Sequence, residues 1–312
     1  EHLGRPDDRI AEAVAIAKLS DVIILCVGLD ETLEGEEGDT GNSYASGDKE
    51  SLLLPQSQIN LINALKKINK PIVLLNMTGS AMDLSFAKDD DNFGAIIQTW
   101  YPGAMGGIAI AKTLFGKVSP SGKLPLTFYK NEDLETMPEF TDYAMKGRTY
   151  RYFKGQPLYP FGFGLTYGDV KVASAKCSAS YAELAEKIGG EYSKTSDAKA
   201  QYSVINANDA TVSVTLTNGS AVDTQEVVQV YVHVNSDNEV DNSKLAAFAR
   251  VEIKAGETKN VDIPVSNRAW FTVDKDGNRV FDGNGAQITV SLNGVNECEV
   301  NNCGKDFVKL DI

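Results

Sequence analysis

Val22-Ile23-Ile24-Leu25-Cys26-Val27-Gly28-Leu29 is an apolar run of strand length. Directly behind it the chain turns polar and acidic, through Asp30 and Glu31-Thr32-Leu33-Glu34-Gly35-Glu36-Glu37-Gly38-Asp39. A strand without polar alternation is of the kind buried on both faces, as in a helix-covered parallel sheet. Two further runs share that character, Pro71-Ile72-Val73-Leu74-Leu75-Asn76 and Ala95-Ile96-Ile97-Gln98-Thr99-Trp100. Helical patterns alternate with them. Asp7 and Asp8 open one whose stripe is Ile10, Val14 and Ala17, and Pro55 opens a second with Ile59, Ile62, Leu65 and Ile68 on one face. A third runs from Gly106 to Leu114 and stops at Gly116. The βα rhythm predicts a partial parallel-sheet α/β sandwich. Ligands of such sheets bind beyond the carboxyl ends of the strands, so the loop from Asp30 to Asp48 is the expected seat of any chemistry. The plainer reading of the same loop is an acidic solvated surface.

The second half has a different period. Residues 117–167 break into Pro-Ser-Gly, aromatic and charged segments and are read, with the α/β region, as a structured connector closing a first domain of residues 1–167. Residues 168–201, with a short helix from Tyr181 to Lys187, are read as a linker or insert. From 202 to 312 the alternation is strand-like: Val212, Val214 and Leu216, then Val228, Val230 and Val232. With the runs Leu245 to Ile253, Lys259 to Val265 and Ile288 to Leu292, parted by Gly and Asn turns, this predicts an all-β sandwich. The fold class is therefore α/β plus all-β.

Composition narrows the function. The 312 residues are 42% hydrophobic and 23% charged, enough for two cored domains, and the net charge of −13 argues against nucleic acid or an anionic membrane as partner. No apolar run approaches the roughly 18 to 20 residues of a membrane span. Glu1-His2-Leu3-Gly4 does not read as a signal peptide but as a start in mid-protein. Cys26 is expected to be a small core residue. Cys177, Cys298 and Cys303 complete no metal pattern; the last two could bridge, or stay reduced as in a cytosolic protein. His2 and His233 lie near no candidate nucleophile, so a Ser-His-Asp or Cys-His mechanism has no support. No Gly-x-Gly-x-x-Gly turn follows any of the three strands, which sets a dinucleotide site aside. No metal and no cofactor are expected.

Several motifs occur in order along the chain. They are Gly28-Leu29-Asp30 with Glu34-Gly35-Glu36-Glu37, Gly47-Asp48-Lys49, Leu54-Pro55, and Gln98-Thr99-Trp100-Tyr101-Pro102-Gly103. Ser119-Pro120-Ser121-Gly122-Lys123-Leu124-Pro125 follows, then Gly147-Arg148-Thr149-Tyr150-Arg151-Tyr152-Phe153 and Tyr159-Pro160-Phe161-Gly162-Phe163-Gly164-Leu165-Thr166-Tyr167. The ordered set resembles the part of glycoside hydrolase family 3, the β-glucosidase and β-xylosidase family, that lies outside its catalytic barrel. Residues 226–234 and 248–265 resemble that family's fibronectin-type-III-like terminal domain.

The resemblance implies a retaining glycosidase in which a barrel domain, matched by no segment here, supplies an aspartate nucleophile. The α/β sandwich contributes a glutamate general acid/base. On the family pattern Glu36 falls closest to the acid/base position, with Glu34 and Glu37 as alternates. A retaining enzyme needs two carboxyl groups roughly 5 to 5.5 Å apart, the donor protonated, and a crowd of carboxylates favours the acid form of one of them. Asp48 and Lys49 match the family's Gly-Asp-Arg with lysine for arginine, and are expected to pin the loop by local charge pairing. Lysine lacks the two-pronged fork of arginine. Trp100 and Tyr101 are read as core before sugar-stacking, and Arg148, Tyr150, Arg151 and Tyr152 as connector packing. The implied partners are the barrel, covalent or associated, and a β-glucoside or β-xyloside, with α-L-arabinoside open. The alternative is a non-catalytic carbohydrate-binding or structural module.

Overall fold

In the computed structural model, residues 9–30, 33–34, 49–139, 141–295 and 307–312 are described. The chain forms two units, Glu1–Leu114 with Phe128–Thr136, and Phe115–Thr127 with Met137–Ile312.

In the first unit, strands β1 (Ile23–Gly28), β2 (Ile72–Met77) and β3 (Phe93–Gln98) make a parallel sheet in that order, with Leu25 opposite Leu74 and Leu75 opposite Ile97. Helices α1 (Ile10–Leu19), α2 (Gln56–Lys66), α3 (Ser85–Lys88) and α4 (Gly106–Leu114) accompany it. Pro55 stands at the N-cap of α2, where its fixed φ suits helix entry, and Ile62 and Leu65 carry the buried face. Asp7 and Asp8, expected to open α1, lie outside the described residues.

Burial on both faces holds for the central strand alone. β2 buries Ile72, Leu74, Leu75 and Asn76. β1 buries alternate residues, Ile23, Leu25 and Val27, while Ile24 is 47% exposed. Cys26 shares the exposed parity, so its reading as a core residue is corrected: strand alternation turns its side chain away from the buried face. β3 is half-buried at best, with Gly94 and Ala95 exposed.

The second unit is a sandwich of two antiparallel sheets. One has the order β12-β11-β6-β7, from β6 (Thr224–Val234), β7 (Lys244–Ile253), β11 (Ala286–Ser291) and β12 (Phe307–Asp311). The other is β4-β5-β8, from β4 (Val170–Cys177), β5 (Ala210–Asn218) and β8 (Thr258–Val265). A small ladder joins β9 (Thr272–Val273) to β10 (Arg279–Val280). Val212, Val214, Leu216, Val230, Ile253 and Trp270 fill the space between the sheets.

Two parts of this unit depart from expectation. The stretch 168–201, read as linker, carries β4, a full partner of β5 from Val170 opposite Asn218 to Cys177 opposite Val212. Its outer residues are mostly exposed, as befits an edge strand whose apolar alternation is weak. Helices α6 (Tyr181–Leu184), α7 (Gly190–Ser193) and α8 (Ala198–Asn206) follow, with a π-helical turn, Ala185–Gly189, between the first two. Ser180 and Glu183 form a reciprocal capping box at the start. The connector is also divided: residues 128–136 belong to the first unit and the rest, with α5 (Thr149–Tyr152), to the second. There it explains why β6 is buried on both faces. Gln229 Nε2 donates to the Gly162 carbonyl at 2.9 Å, Tyr231 donates to Gln229 Oε1 at 2.5 Å, and Tyr150 stacks on Phe161 with centroids 4.2 Å apart. Lys123 and Glu226 form a buried ion pair at 2.7 Å. Arg148 donates to the carbonyls of Pro138 and Glu139, so Arg148 and Tyr150 serve connector packing.

Candidate active site

The carboxyl ends of β1, β2 and β3 meet at one crest, and a polar network built from side chains inside otherwise apolar strands shapes it. Asn76, fully buried at the end of β2, donates to Thr78 Oγ1 at 3.0 Å and to Gln98 Oε1 at 2.6 Å. Gln98 returns a hydrogen bond to the Thr78 carbonyl at 3.0 Å, and the Thr78 hydroxyl donates to the Ser80 carbonyl at 2.8 Å. These bonds satisfy backbone and side-chain groups that the sheet ladder leaves open, and they fix the turn from Thr78 to Ala81.

The base of the acidic loop is clamped from α2. Gln58 Oε1 accepts from the Gly28 N–H at 2.9 Å and Gln58 Nε2 donates to the Gly28 carbonyl at 2.7 Å. Position 28 must be glycine: φ is 154° and a Cβ there would lie 2.0 Å from the Met77 carbonyl oxygen. The clamp therefore sets the direction in which the chain leaves β1.

Glu34 is the one candidate glutamate among the described residues. Its Oε1 accepts from Ser80 Oγ at 2.6 Å, and Lys49 Nζ stands 3.9 Å from the same oxygen. Lys49 also donates to Ser80 Oγ at 2.8 Å and to the Ala81 carbonyl at 3.1 Å, and touches Met82 Sδ at 3.6 Å. Burial lowers the Lys49 pKa below its ordinary value, with the Glu34 carboxylate acting in the opposite sense. Glu34 Oε2 is buried without a hydrogen-bond partner among the described residues. Glu36, Glu37 and Asp48 lie outside the described residues. The segment after Lys49 is tied down: Asp83 N–H donates to the Leu52 carbonyl at 2.7 Å, Leu52 N–H donates to Asn131 Oδ1 at 2.9 Å, and Asn131 N–H donates to Asp83 Oδ2 at 2.8 Å.

Behind β3 the backbone is strained. Trp100 has φ 56°, rare for a bulky side chain, and its ring meets Phe128 edge-on at 6.4 Å. Tyr101 is 56% exposed, which corrects its reading as core. Its ring lies over Gly79, where a Cβ would come within 2.7 Å of it, beside the Ser80 that holds Glu34. The sequence assigns no role to Ser80, Gln58, Asn76 or Gln98; the signal for Asn76 and Gln98 is a polar residue closing an apolar run, and Gln58 and Ser80 carry no such signal.

A family model, the glycosyl hydrolase family 3 C-terminal domain, matches residues 4–167, and a fibronectin type III-like domain matches residues 226–292. The chain belongs to glycoside hydrolase family 3. Among its family 3 relatives, the xylan 1,4-beta-xylosidase of Xylanibacter ruminicola is 34% identical over 86% of this chain and 28% of its own length. The periplasmic beta-glucosidase of Salmonella typhimurium is 31% identical over 85% of this chain and 32% of its own. A solved family 3 beta-glucosidase from Bifidobacterium adolescentis superposes with a TM-score of 0.73 at 26% identity, over 99% of this chain and 42% of that one. The chain thus spans about a third of the length of the curated relatives it matches. The α/β plus sandwich fold expected from the family 3 motifs is the fold observed, and the relatives place the chain in a family of β-xylosidases and β-glucosidases.

Proposed function

We propose that this chain is the non-barrel part of a retaining, exo-acting β-glycosidase of the β-glucosidase or β-xylosidase type, with Glu36 as its general acid/base. The observation that carries the reading is the anchoring of the acidic loop at the strand crest: Glu34 is held by Ser80 and faces Lys49. Glu36 is chosen because it falls closest to the acid/base position on the family pattern, and Glu34 and Glu37 are its alternates. Lys49, and Asp48 beside it, act as loop supports. The longer relatives support a further domain in the same enzyme, and the nucleophile is assigned to that barrel. In this reading residues 1–167 correspond to the family's α/β-sandwich domain with its connector, and the terminal β domain comprises 202–312 together with β4.

In the reaction so proposed, a barrel carboxylate attacks the anomeric carbon while the protonated glutamate gives its proton to the leaving oxygen. The same glutamate then takes a proton from water as the glycosyl-enzyme is hydrolysed. The test uses the complete enzyme. Glu36→Gln should slow glycosylation by about 10²- to 10⁴-fold with poor leaving groups and far less with activated aryl glycosides, which need little protonation. The same pattern in Glu34→Gln instead would move the role to Glu34. Equal loss on both substrate kinds in every variant would remove the acid from this loop. The isolated chain should not hydrolyse aryl β-glucoside or β-xyloside, and mixing it with the barrel should restore hydrolysis of one of them.

A further inference from the structure

The helical segment between β4 and β5 and the β9–β10 hairpin together line an open groove of about 570 Å³, inside the second unit and made from none of the residues assigned to glycoside cleavage. Its size is that of a small-ligand site. One wall is the π-helical turn with Gly189 and Gly190; the rim carries Tyr192, Ser193, Thr195, Gln201 and Arg279.

Glycine at 190 is the first informative feature. Its φ of −63° and ψ of −41° are ordinary helical values, and a Cβ there would meet nothing within 4 Å. Neither backbone conformation nor crowding calls for glycine, which weakens a helix by about 1 kcal/mol relative to alanine. What the missing side chain does is leave the groove open. Gly189 beside it brings the helix onto Phe281, whose ring would sit 3.5 Å from an added Cβ. The Tyr192 ring is braced edge-on against Phe271, and Phe271 against Phe281, at centroid distances of 4.9 and 5.4 Å. These edge contacts hold the Tyr192 ring in place against the buried Phe271.

Hydrogen-bonding capacity is the second feature. Gln201 Nε2 is committed to the Thr195 carbonyl at 3.0 Å and Ser193 Oγ to the Gly189 carbonyl at 2.6 Å. Arg279 makes no hydrogen bond or ion pair among the described residues, and no carboxylate lines the groove. The charged capacity on offer is thus a donor fork, in a chain whose net charge is −13. A planar fork of N–H groups is matched by a carboxylate, and a braced aromatic ring by the apolar face of a sugar.

We propose that this groove binds a carboxylated saccharide, with the carboxylate on Arg279 and a sugar face on Tyr192. Binding is independent of the glycosidase reaction and gives this domain a substrate-tethering role.

The test is calorimetric titration of the 312-residue chain with xylotriose bearing one glucuronic acid branch, with unbranched xylotriose and with acetate. The acidic saccharide should bind saturably at millimolar concentrations or below, and the neutral one at least tenfold more weakly. Arg279→Gln should weaken the acidic probe about tenfold or more and leave the neutral one unchanged. Gly190→Leu fills the groove with a better helix former, so it should abolish binding without lowering the melting temperature. The proposal is overturned by no saturable binding of the acidic saccharide, by equal binding of the neutral one, by acetate binding as well as the saccharide, or by full affinity in Gly190→Leu. Hydrolysis by the complete enzyme should be untouched in Gly190→Leu on aryl glycosides, which separates this site from the catalytic one.

Discussion

The two units differ in how much of their apolar surface they cover for themselves. In the sandwich, Val212, Leu216, Val230, Ile253 and Trp270 are each at or near zero exposure, and even the outer face of β6 is sealed by the connector. Among the described residues of the α/β unit only β2 is enclosed. Ile24 on β1 and Ile108 on α4 are 47% and 50% exposed, and the sheet of three strands ends at β1 and β3. Parallel sheets are normally covered on both faces, so the first unit is the one expected to be less stable in the isolated chain. A closed core and an open-faced one sit in a single chain of ordinary composition.

The chain has two tryptophans, Trp100 in the α/β unit and Trp270 in the sandwich, so each unit carries its own fluorescent reporter. Urea unfolding of the isolated chain should show the Trp100 signal, isolated in Trp270→Phe, moving at lower denaturant than the sandwich amides followed by hydrogen exchange. Coincident transitions would break the contrast. The largest single effect is expected at the centre of the closed core: Trp270→Ala should destabilise the sandwich by about 3–5 kcal/mol, measured by denaturation followed by circular dichroism. Leu74→Ala in β2 should follow at about 2–5 kcal/mol, felt by the Trp100 signal alone. Ile24→Ala, on the open face of β1, should stay within about 0.5 kcal/mol. A penalty as large as that of Leu74→Ala would mean that this face is covered in solution.

The smallest effect is electrostatic. Asp90 hydrogen-bonds Lys66 at 2.5 Å and accepts from the Asn92 N–H at 2.9 Å, and these bonds hold its carboxyl down at about 2. A depressed carboxyl pKa adds stability that is complete above the unfolded value near 4 and is lost as pH falls towards 2. Asp90→Asn should therefore remove a small part of the acid sensitivity of the Trp100 transition, and since the group is at the surface, 1 M salt should shrink the difference further.

Much of this was legible in the chain. Continuous apolar runs located β1, β2 and β3, because burial in a parallel sheet admits few polar residues. Period-two alternation located β5, β6, β7, β8 and β11, because one face of each packs inward. β4 escaped because an edge strand buries little and so writes a weak pattern, and Cys26 was misplaced because an apolar run does not say which of its faces finds a neighbour. At the site, the acidic loop, Glu34 and Lys49 were visible as residue types. Ser80 and Gln58, 46 and 30 residues from Glu34 and Gly28, were not, because the sequence does not record which turn a side chain will reach.

By itself, then, the sequence determined the two fold classes, the strand end after which the acidic stretch begins and the membership of a glycosidase family, since each depends on local periodicity or on ordered motifs. Tertiary structure alone decided that Ser80 donates to Glu34, that Tyr101 lies open over Gly79, and that Arg279 and Gly190 line one groove. Those facts rest on distances between residues far apart in the chain, set by packing rather than by any local preference.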